Sequence, residues 1–297
     1  MLEGHSNWVY SVAFSSDGKY LATLSADGSQ LFASTYVGGT ENDGYNKGTL
    51  VFNYGDGSRG EIIVDAQGNS YIASSSQSSN FPVTGGAPQT ILKGGQDAVS
   101  FKLNSNLSSV LWSTYLGGSA SDAGYAIALS ANNEVYVTGG TLSNNYPTTS
   151  GTLHSSARGG QDGFITHISN SGTSILSSTY IGTSENDQSY FIQLDKTQNV
   201  YVYGQTYGDY PITPVGVYSN PNSGQFIHKL NSSLSSTIFS TVVGTGQGTP
   251  DISPTAFLVD KCEKVYIAGW GGSINALGED GVGNDGPFQT SRTLGLP

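Results

Sequence analysis

A period of 65 residues governs this sequence. VYVTGG around Tyr136, VYVYGQ around Tyr201 and VYIAGW around Tyr266 recur at that step, with SYIASS around Tyr71 as a looser copy. Three further elements keep the same order: NFPVTG, NYPTTS and DYPITP; then GGQDAVSFKLN, GGQDGFITHIS and SGQFIHKLN; then SVLWSTYLGG, SILSSTYIGT and STIFSTVVGT, foreshadowed near the start by QLFASTYVGG. Four elements held in register require a structural unit that is copied, so the fold must be one that grows by repetition.

Each period contains four short stretches rich in β-branched and aromatic residues, YAIALS, EVYVTGG, DGFITHIS and SILSSTYIG, separated by Asn, Gly, Ser or Pro turns. These predict four strands per repeat. Side chains alternate across a strand, and both faces of these strands are largely apolar, so each sheet needs a cover on both sides. A β-propeller of four-stranded antiparallel blades meets that need, whereas a sandwich leaves one polar face per strand and a β-solenoid has a much shorter period. Hydrophobic residues at 36%, charged residues at 11% and 41 glycines fit short strands with many turns and exclude a helical bundle. Eighteen tyrosines supply the buried area that a disordered chain lacks.

A formal charge of −11 without a Lys/Arg cluster repels phosphate backbones and anionic lipid, which excludes nucleic acid as a partner. The single cysteine, Cys262, makes no intrachain disulfide. The opening MLEGHSNWVY lacks the pattern of a signal peptide, and no run of about 18 apolar residues marks a membrane span. The native compartment stays open on these grounds.

From LFASTYVGG to AGWGG, residues 31–272, the text resembles the SBBP-type β-propeller repeat family, with STYLGGSASDAGYAIALSANNEVYVTGG as its fullest copy. The resemblance implies a propeller of bacterial surface or secreted proteins, found beside sorting or adhesion modules, with no established catalytic centre. Residues 1–30 instead resemble a WD-repeat blade, in the Gly4-His5 pair, SVAFS, the SSDGK turn and YLATLSAD, but the closing Trp-Asp dipeptide is absent. Residues 273–297 form a Gly/Asp-rich tail or loop, and the whole, 1–297, reads as a single propeller domain. One WD-like and four SBBP-like inner hairpins give five blades, with four blades as the alternative. The WD-like hairpin is expected to help close the ring by pairing with the C-terminal blade. Otherwise the incomplete blades pair in a homodimer rather than closing within a monomer.

The repeat multiplies its candidate site residues. Asp43, Asp122 and Asp187 stand in TENDGY, SASDAGY and SENDQSY before the innermost strands, together with Tyr71, Tyr136, Tyr201 and Tyr266 as structural repeat positions. Copies of one residue in one role point to blade architecture, because catalysis needs distinct acid and base groups in one pocket. Asp65, Asp195 and Asp260, replaced by Ser130 in one copy, read as turn carboxylates that cap their own backbone. Gln96–Asp97, Gln161–Asp162 and Gln225 open the third strand and are expected to satisfy loop donors. His167 occupies the slot of Lys102 and Lys229, a strand-surface position needing no metal. In LGEDGVGNDG, Glu279, Asp280, Asn284 and Asp285 form a weak calcium candidate, short of a full EF-hand ligand series.

These observations predict a non-enzymatic propeller, without catalytic residues or cofactor, that serves as a binding or structural scaffold for a protein or glycan partner. The alternative is a glycan-active, glycosidase-like propeller using carboxylates near the central channel. A third reading, motivated by the change of repeat dialect at Gln30–Leu31, is an engineered chimera with no evolved ligand.

Overall fold

The computed structural model describes residues 20–25, 27–46, 48–53 and 55–271. The Gly4-His5 pair, the SVAFS strand and the calcium candidates Asp280, Asn284 and Asp285 lie outside them. The described chain is all-β apart from two single-turn 3₁₀ helices, Gly48–Leu50 and Asp56–Ser58. Its strands are β1 (Tyr20–Leu24), β2 (Leu31–Tyr36), β3 (Glu61–Val64), β4 (Ser70–Ser76), β5 (Asp97–Leu103), β6 (Val110–Leu116), β7 (Asp122–Leu129) and β8 (Val135–Thr141). They continue with β9 (Asp162–Ile168), β10 (Ile175–Ile181), β11 (Asp187–Leu194), β12 (Val200–Thr206), β13 (Gln225–Leu230), β14 (Thr237–Val243), β15 (Ile252–Val259) and β16 (Val265–Gly271). Three antiparallel sheets are complete, β3 to β6, β7 to β10 and β11 to β14, each in simple meander order, and β1–β2 and β15–β16 make a two-stranded sheet at either end. The predicted four-stranded blades are therefore present.

The sheets stack in chain order and bury one another. Val37 and Ala33, at the end of the first hairpin, pack with Ile72, Val99 and Tyr115 of the next sheet. Tyr71, Trp112 and Leu116 meet Ile127, Val137 and Phe164 at the following seam. Tyr136, Ile165 and Ile181 meet Val202, Phe226 and Leu234 at the third, and Tyr203 and Ile227 meet Phe257 and Ile267 at the last. Because both faces are covered, β4, β8, β9, β12 and β13 are buried along their whole length and lose the in-out alternation of a one-sided sheet.

The register identifies which half of a blade each end sheet represents. In every outer pair one residue is skipped near the strand end, at Lys102/Leu103, Ile175/Ser177 and Lys229/Leu230, and β1–β2 carries its shift at the matching place, Thr23/Leu24. The inner pairs shift elsewhere, at Gly124/Ala126, Ser189/Phe191 and, in the last hairpin, Pro254/Ala256. The described part of the WD-like segment is therefore an outer hairpin completed by LFASTY, not the inner hairpin assumed in the blade count. Among the described residues β1 pairs with β2, β15 with β16, and no ladder joins the two; the remainder of the WD-like segment, on which the expected ring closure falls, lies outside the described residues.

A second departure from the sequence reading lies between Asp43 and β3. Tyr36 precedes Tyr115 by 79 residues, whereas Tyr115 precedes Tyr180 by 65, so the first period carries an extra segment. It replaces the first half of an innermost strand, and β3 has four residues where β7 and β11 have eight. Asp43 keeps its place by bridging to Ser76, as Asp122 pairs with Thr141 and Asp187 with Thr206. It does not immediately precede its strand, however, because residues 44–60 intervene.

Candidate functional site

The turn carboxylates sit where hairpin geometry demands an acceptor. Asp65 Oδ1 accepts the amides of Gln67 (3.0 Å) and Asn69 (2.9 Å), and Asp195 Oδ1 accepts those of Thr197 (2.8 Å) and Asn199 (2.9 Å). Asp260 repeats the pattern with Cys262 and Lys264. The other oxygen of the first two faces a lysine: Lys229 lies 2.8 Å from Asp195 and Lys102 lies 3.7 Å from Asp65. Each ammonium also lies over a repeat tyrosine, Lys102 4.5 Å from the Tyr71 ring centre and Lys229 4.6 Å from that of Tyr201. Burial works against the ionised form of both aspartates, yet hydrogen bonds from the turn, and from Lys229 in the case of Asp195, hold both carboxyls below their ordinary range.

Asp122 and Asp187 are buried at the first residue of the strand that starts their blades, and Asp43 is buried in the equivalent place beside Ser76. Asp43 accepts the Gly39 amide (2.7 Å) and the hydroxyls of Ser76 and Ser78. Asp122 accepts the Gly118 amide (2.8 Å) and the hydroxyls of Thr141 and Ser143, and Asp187 accepts both the amide (2.6 Å) and the hydroxyl (2.9 Å) of Thr183. Each carboxylate thereby ties the loop from the preceding blade to the new one. Burial pushes the Asp122 carboxyl up to about 7 and that of Asp187 to about 6, with Asp97 and Asp162 adding like-charge repulsion. Those partners stand close: a Cβ on Gly117 would lie 2.6 Å from Asp97 Oδ1 and 2.8 Å from Asp122 Oδ2, and Gly182 sits in the same way between Asp162 and Asp187. Each pair therefore closes tightly around its glycine, with no room there for even one added carbon. Asp97 and Asp162 meanwhile accept loop amides, from Lys93 and Gly94 and from Arg158 and Gly159.

The most concentrated polar constellation was not anticipated. Segment 44–60 lies along the inner strands, where Leu50 is wholly buried against Ala123, Tyr125 and Tyr190. Tyr125 and Tyr190 are copies one period apart, and their rings stack at 5.6 Å. The Leu50 carbonyl accepts Tyr125 Oη (3.0 Å) and Gln188 Nε2 (3.0 Å), and Asn53 Nδ2 donates to Tyr190 Oη (2.6 Å) and Gln205 Oε1 (3.0 Å). Beside them Asp56 accepts the amides of Phe52 and Asn53, Tyr190 Oη (3.2 Å) and Arg59 Nε (3.0 Å). Arg59 covers the Tyr190 ring at 4.5 Å and donates to the Pro254 carbonyl (2.9 Å). Burial still raises the Asp56 carboxyl above its ordinary value against the pull of Arg59.

This cluster is asymmetric, as an active site would be, and it holds an acid, a cation and two phenols. Most of its donors and acceptors are nonetheless spent on one another, with Asn53 Oδ1 left without a partner, and Leu50 packs at its centre. Among the described residues no group of three or more His, Cys, Asp and Glu side chains is placed to hold a metal. No described helix is long and apolar enough to cross a membrane. The sequence signal for the cluster was the lengthened first period, which separates Tyr36 from Tyr115.

Comparison with known proteins agrees with the repeat. Residues 111–147 match the family model described as Beta-propeller repeat, and residues 1–29 match the WD domain, G-beta repeat. No curated protein matches the chain. Among solved structures it is similar to a luciferin-regenerating enzyme (11% identity, 89% of this chain and 69% of that one, TM-score 0.39). It is also similar to BamB from Moraxella catarrhalis (12%, 91% and 62%, 0.37) and to PorZ of the type-IX secretion system of Porphyromonas gingivalis (13%, 87% and 30%, 0.33). The chain thus spans under two thirds of BamB and under one third of PorZ, and likenesses this loose carry no argument about function.

Proposed function

We propose that this chain of β-propeller repeats is a non-enzymatic scaffold of bacterial surface type, a single domain over 1–297, which holds its loops rigidly toward a macromolecular partner. One observation carries the reading: each repeated carboxylate accepts hydrogen bonds from its own turn or from the joint between blades, and the inner side is filled by the chain's own segment 44–60. What remains for recognition is the set of loops and turns at the two ends of the blades. The glycosidase alternative requires two non-equivalent acids flanking an open cleft, and the pairs around Gly117 and Gly182 are closed copies of one another.

A hydrolase screen on glycan and ester substrates, run with Asp122→Asn and Asp56→Asn, tests the proposal. The expected result is no turnover by the parent, with the variants changing stability alone. Turnover that is lost in either variant while the fold is retained would overturn the reading.

A further inference from the structure

The middle complete blade departs from its two neighbours at three positions that meet in space. In the first and third complete blades an aspartate, a lysine and an aromatic ring fill one end of the sheet: Asp65, Lys102 and Trp112, and then Asp195, Lys229 and Phe239. Lysine and aromatic are direct cross-strand partners, Lys102 with Trp112 and Lys229 with Phe239, and both aromatic rings meet the repeat tyrosine edge-on, at 6.3 Å and 5.9 Å. In the middle blade the same places hold Ser130, His167 and Ser177, with His167 and Ser177 again cross-strand partners. Ser130 keeps the turn role, as its Oγ accepts the Glu134 amide (3.0 Å), but it brings no charge. His167 lies flat on Tyr136 at 3.9 Å and places Nε2 3.1 Å from Glu134 Oε2.

All three replacements remove volume and leave groups that form hydrogen bonds. Across the seam Leu234, which takes the place of Gly172, is buried with Tyr136 and recovers part of the space. A cavity of about 650 Å³ remains, bounded by Ser130, Tyr136, His167, Ser177, Gln198 and Ser233, within the roughly 300–1,000 Å³ of small-molecule sites. Ser177 is one of its lining residues and is only 7% exposed, and its Oγ is shut off from solvent without a hydrogen-bond partner.

We propose that this seam is a binding site for one neutral saccharide unit, seated where the sibling blades place their Trp112 and Phe239 rings. The lining selects the class. Glu134 is the only ionisable carboxylate among the lining residues and no lysine or arginine accompanies it, so an anion has no counter-charge, while the chain's net charge of −11 opposes one at long range. Serine and threonine hydroxyls, the Asn132 and Gln198 amides and the Glu134 carboxylate offer donors and acceptors to a ring of hydroxyls. Burial lowers the His167 pKa against the pull of Glu134 and favours the neutral imidazole, so with Nε2–H donating to Glu134, Nδ1 is left to accept. An aromatic side chain from a partner peptide would fit the volume but would bring no hydrogen-bonding groups to a lining made mostly of hydroxyls and amides. The site goes beyond the scaffold reading and does not depend on a macromolecular partner.

The test is titration of the full chain, by ligand-observed NMR and calorimetry, with glucose, galactose, mannose, N-acetylglucosamine and their disaccharides, against Ser177→Trp and Glu134→Gln. The expected result is binding of at least one sugar below about 10 mM, weakened at least about tenfold by Ser177→Trp, which restores the sibling ring, and severalfold by Glu134→Gln. Protein chemical-shift changes in the parent should centre on Ser130, His167 and Ser177, which keeps the proposal testable should Ser177→Trp fail to fold. Absence of binding by all of these sugars, shifts centred elsewhere, undiminished binding by folded Ser177→Trp, or capture of tryptophan- or phenylalanine-containing peptides in place of sugars would overturn it.

Discussion

Tyr201 and Tyr266 stand in nearly the same words, VYVYGQ and VYIAGW, each pairing with an innermost strand in the same ladder, yet one is buried and the other is 52% exposed. The blade around Tyr201 has outer strands, and its Lys229 covers the ring; among the described residues the hairpin around Tyr266 has no outer strands beside it. The repeat therefore supplies strand, turn and register, while burial comes from the neighbours. The opposite end of the stack teaches the same lesson, since Tyr36 on β2 is 46% exposed although its sibling Tyr115 is fully covered. Stability in such a chain belongs to seams more than to units.

The contrast can be broken most directly at the tyrosines. Tyr201→Ala should cost about 3–5 kcal/mol in urea unfolding, as for other large buried rings, and Tyr266→Ala less than about 0.5 kcal/mol; equal losses would mean that the final hairpin is covered in solution. Next, Leu50→Ala should cost about 2–4 kcal/mol, with hydrogen exchange accelerating around Tyr125 and Tyr190, whereas a change confined to residues 44–60 would show that the segment contributes nothing to the blades it touches.

A third measurement separates interior from end by pH. The folded-state pKa values of about 7 for Asp122 and about 6 for Asp187 exceed the roughly 3.9 of an unfolded aspartate, so the folded chain holds extra protons between those values. Their contribution is complete below about pH 4 and is lost as pH rises through 6 to 7. Asp65 and Asp195, held low, act in the opposite sense and lose their contribution on acidification below about pH 4. Against the parent, Asp122→Asn should therefore remove part of the loss of thermal midpoint between about pH 4 and pH 8, whereas the buried His228, whose pKa burial lowers to about 3, acts in the opposite sense below about pH 6.5 in both. The smallest effect is expected from the turn carboxylates. Asp195→Asn, which loosens Lys229, should cost about 1–2 kcal/mol, and Asp260→Asn, half-buried and without an ion pair to a lysine among the described residues, should leave the denaturation midpoint unmoved.

Much of this was legible in the sequence because the period copies it. The four strands, the turn role of Asp65 and Asp195 and the burial of Tyr71, Tyr136 and Tyr201 follow from pattern and turn chemistry. Two features escaped for a common reason: a repeat comparison highlights what recurs. The phase of the first hairpin was misread because YLATLSAD resembles another repeat dialect, while its partner LFASTY carried the decisive outer-strand spelling. Segment 44–60 has no sibling, and its asparagines and glycines read as loop, although Leu50, Asn53 and Asp56 are among the most buried residues of the molecule. The seam cavity was half visible, in that His167 stood out against Lys102 and Lys229, but Ser177 against Trp112 and Phe239 gains meaning only when the ladder places the two side by side.

Segment 44–60 also bears on the order in which the chain can assemble. Asn46 bonds to Tyr125, 79 residues downstream; Asn53 to Tyr190, 137 downstream; and Arg59 to the Pro254 carbonyl, 195 downstream. Hairpins close over short loops and gain contacts early, whereas these bonds require most of the polypeptide to be in place first. The early-synthesised piece is thus among the last to settle, a keystone delivered before the arch.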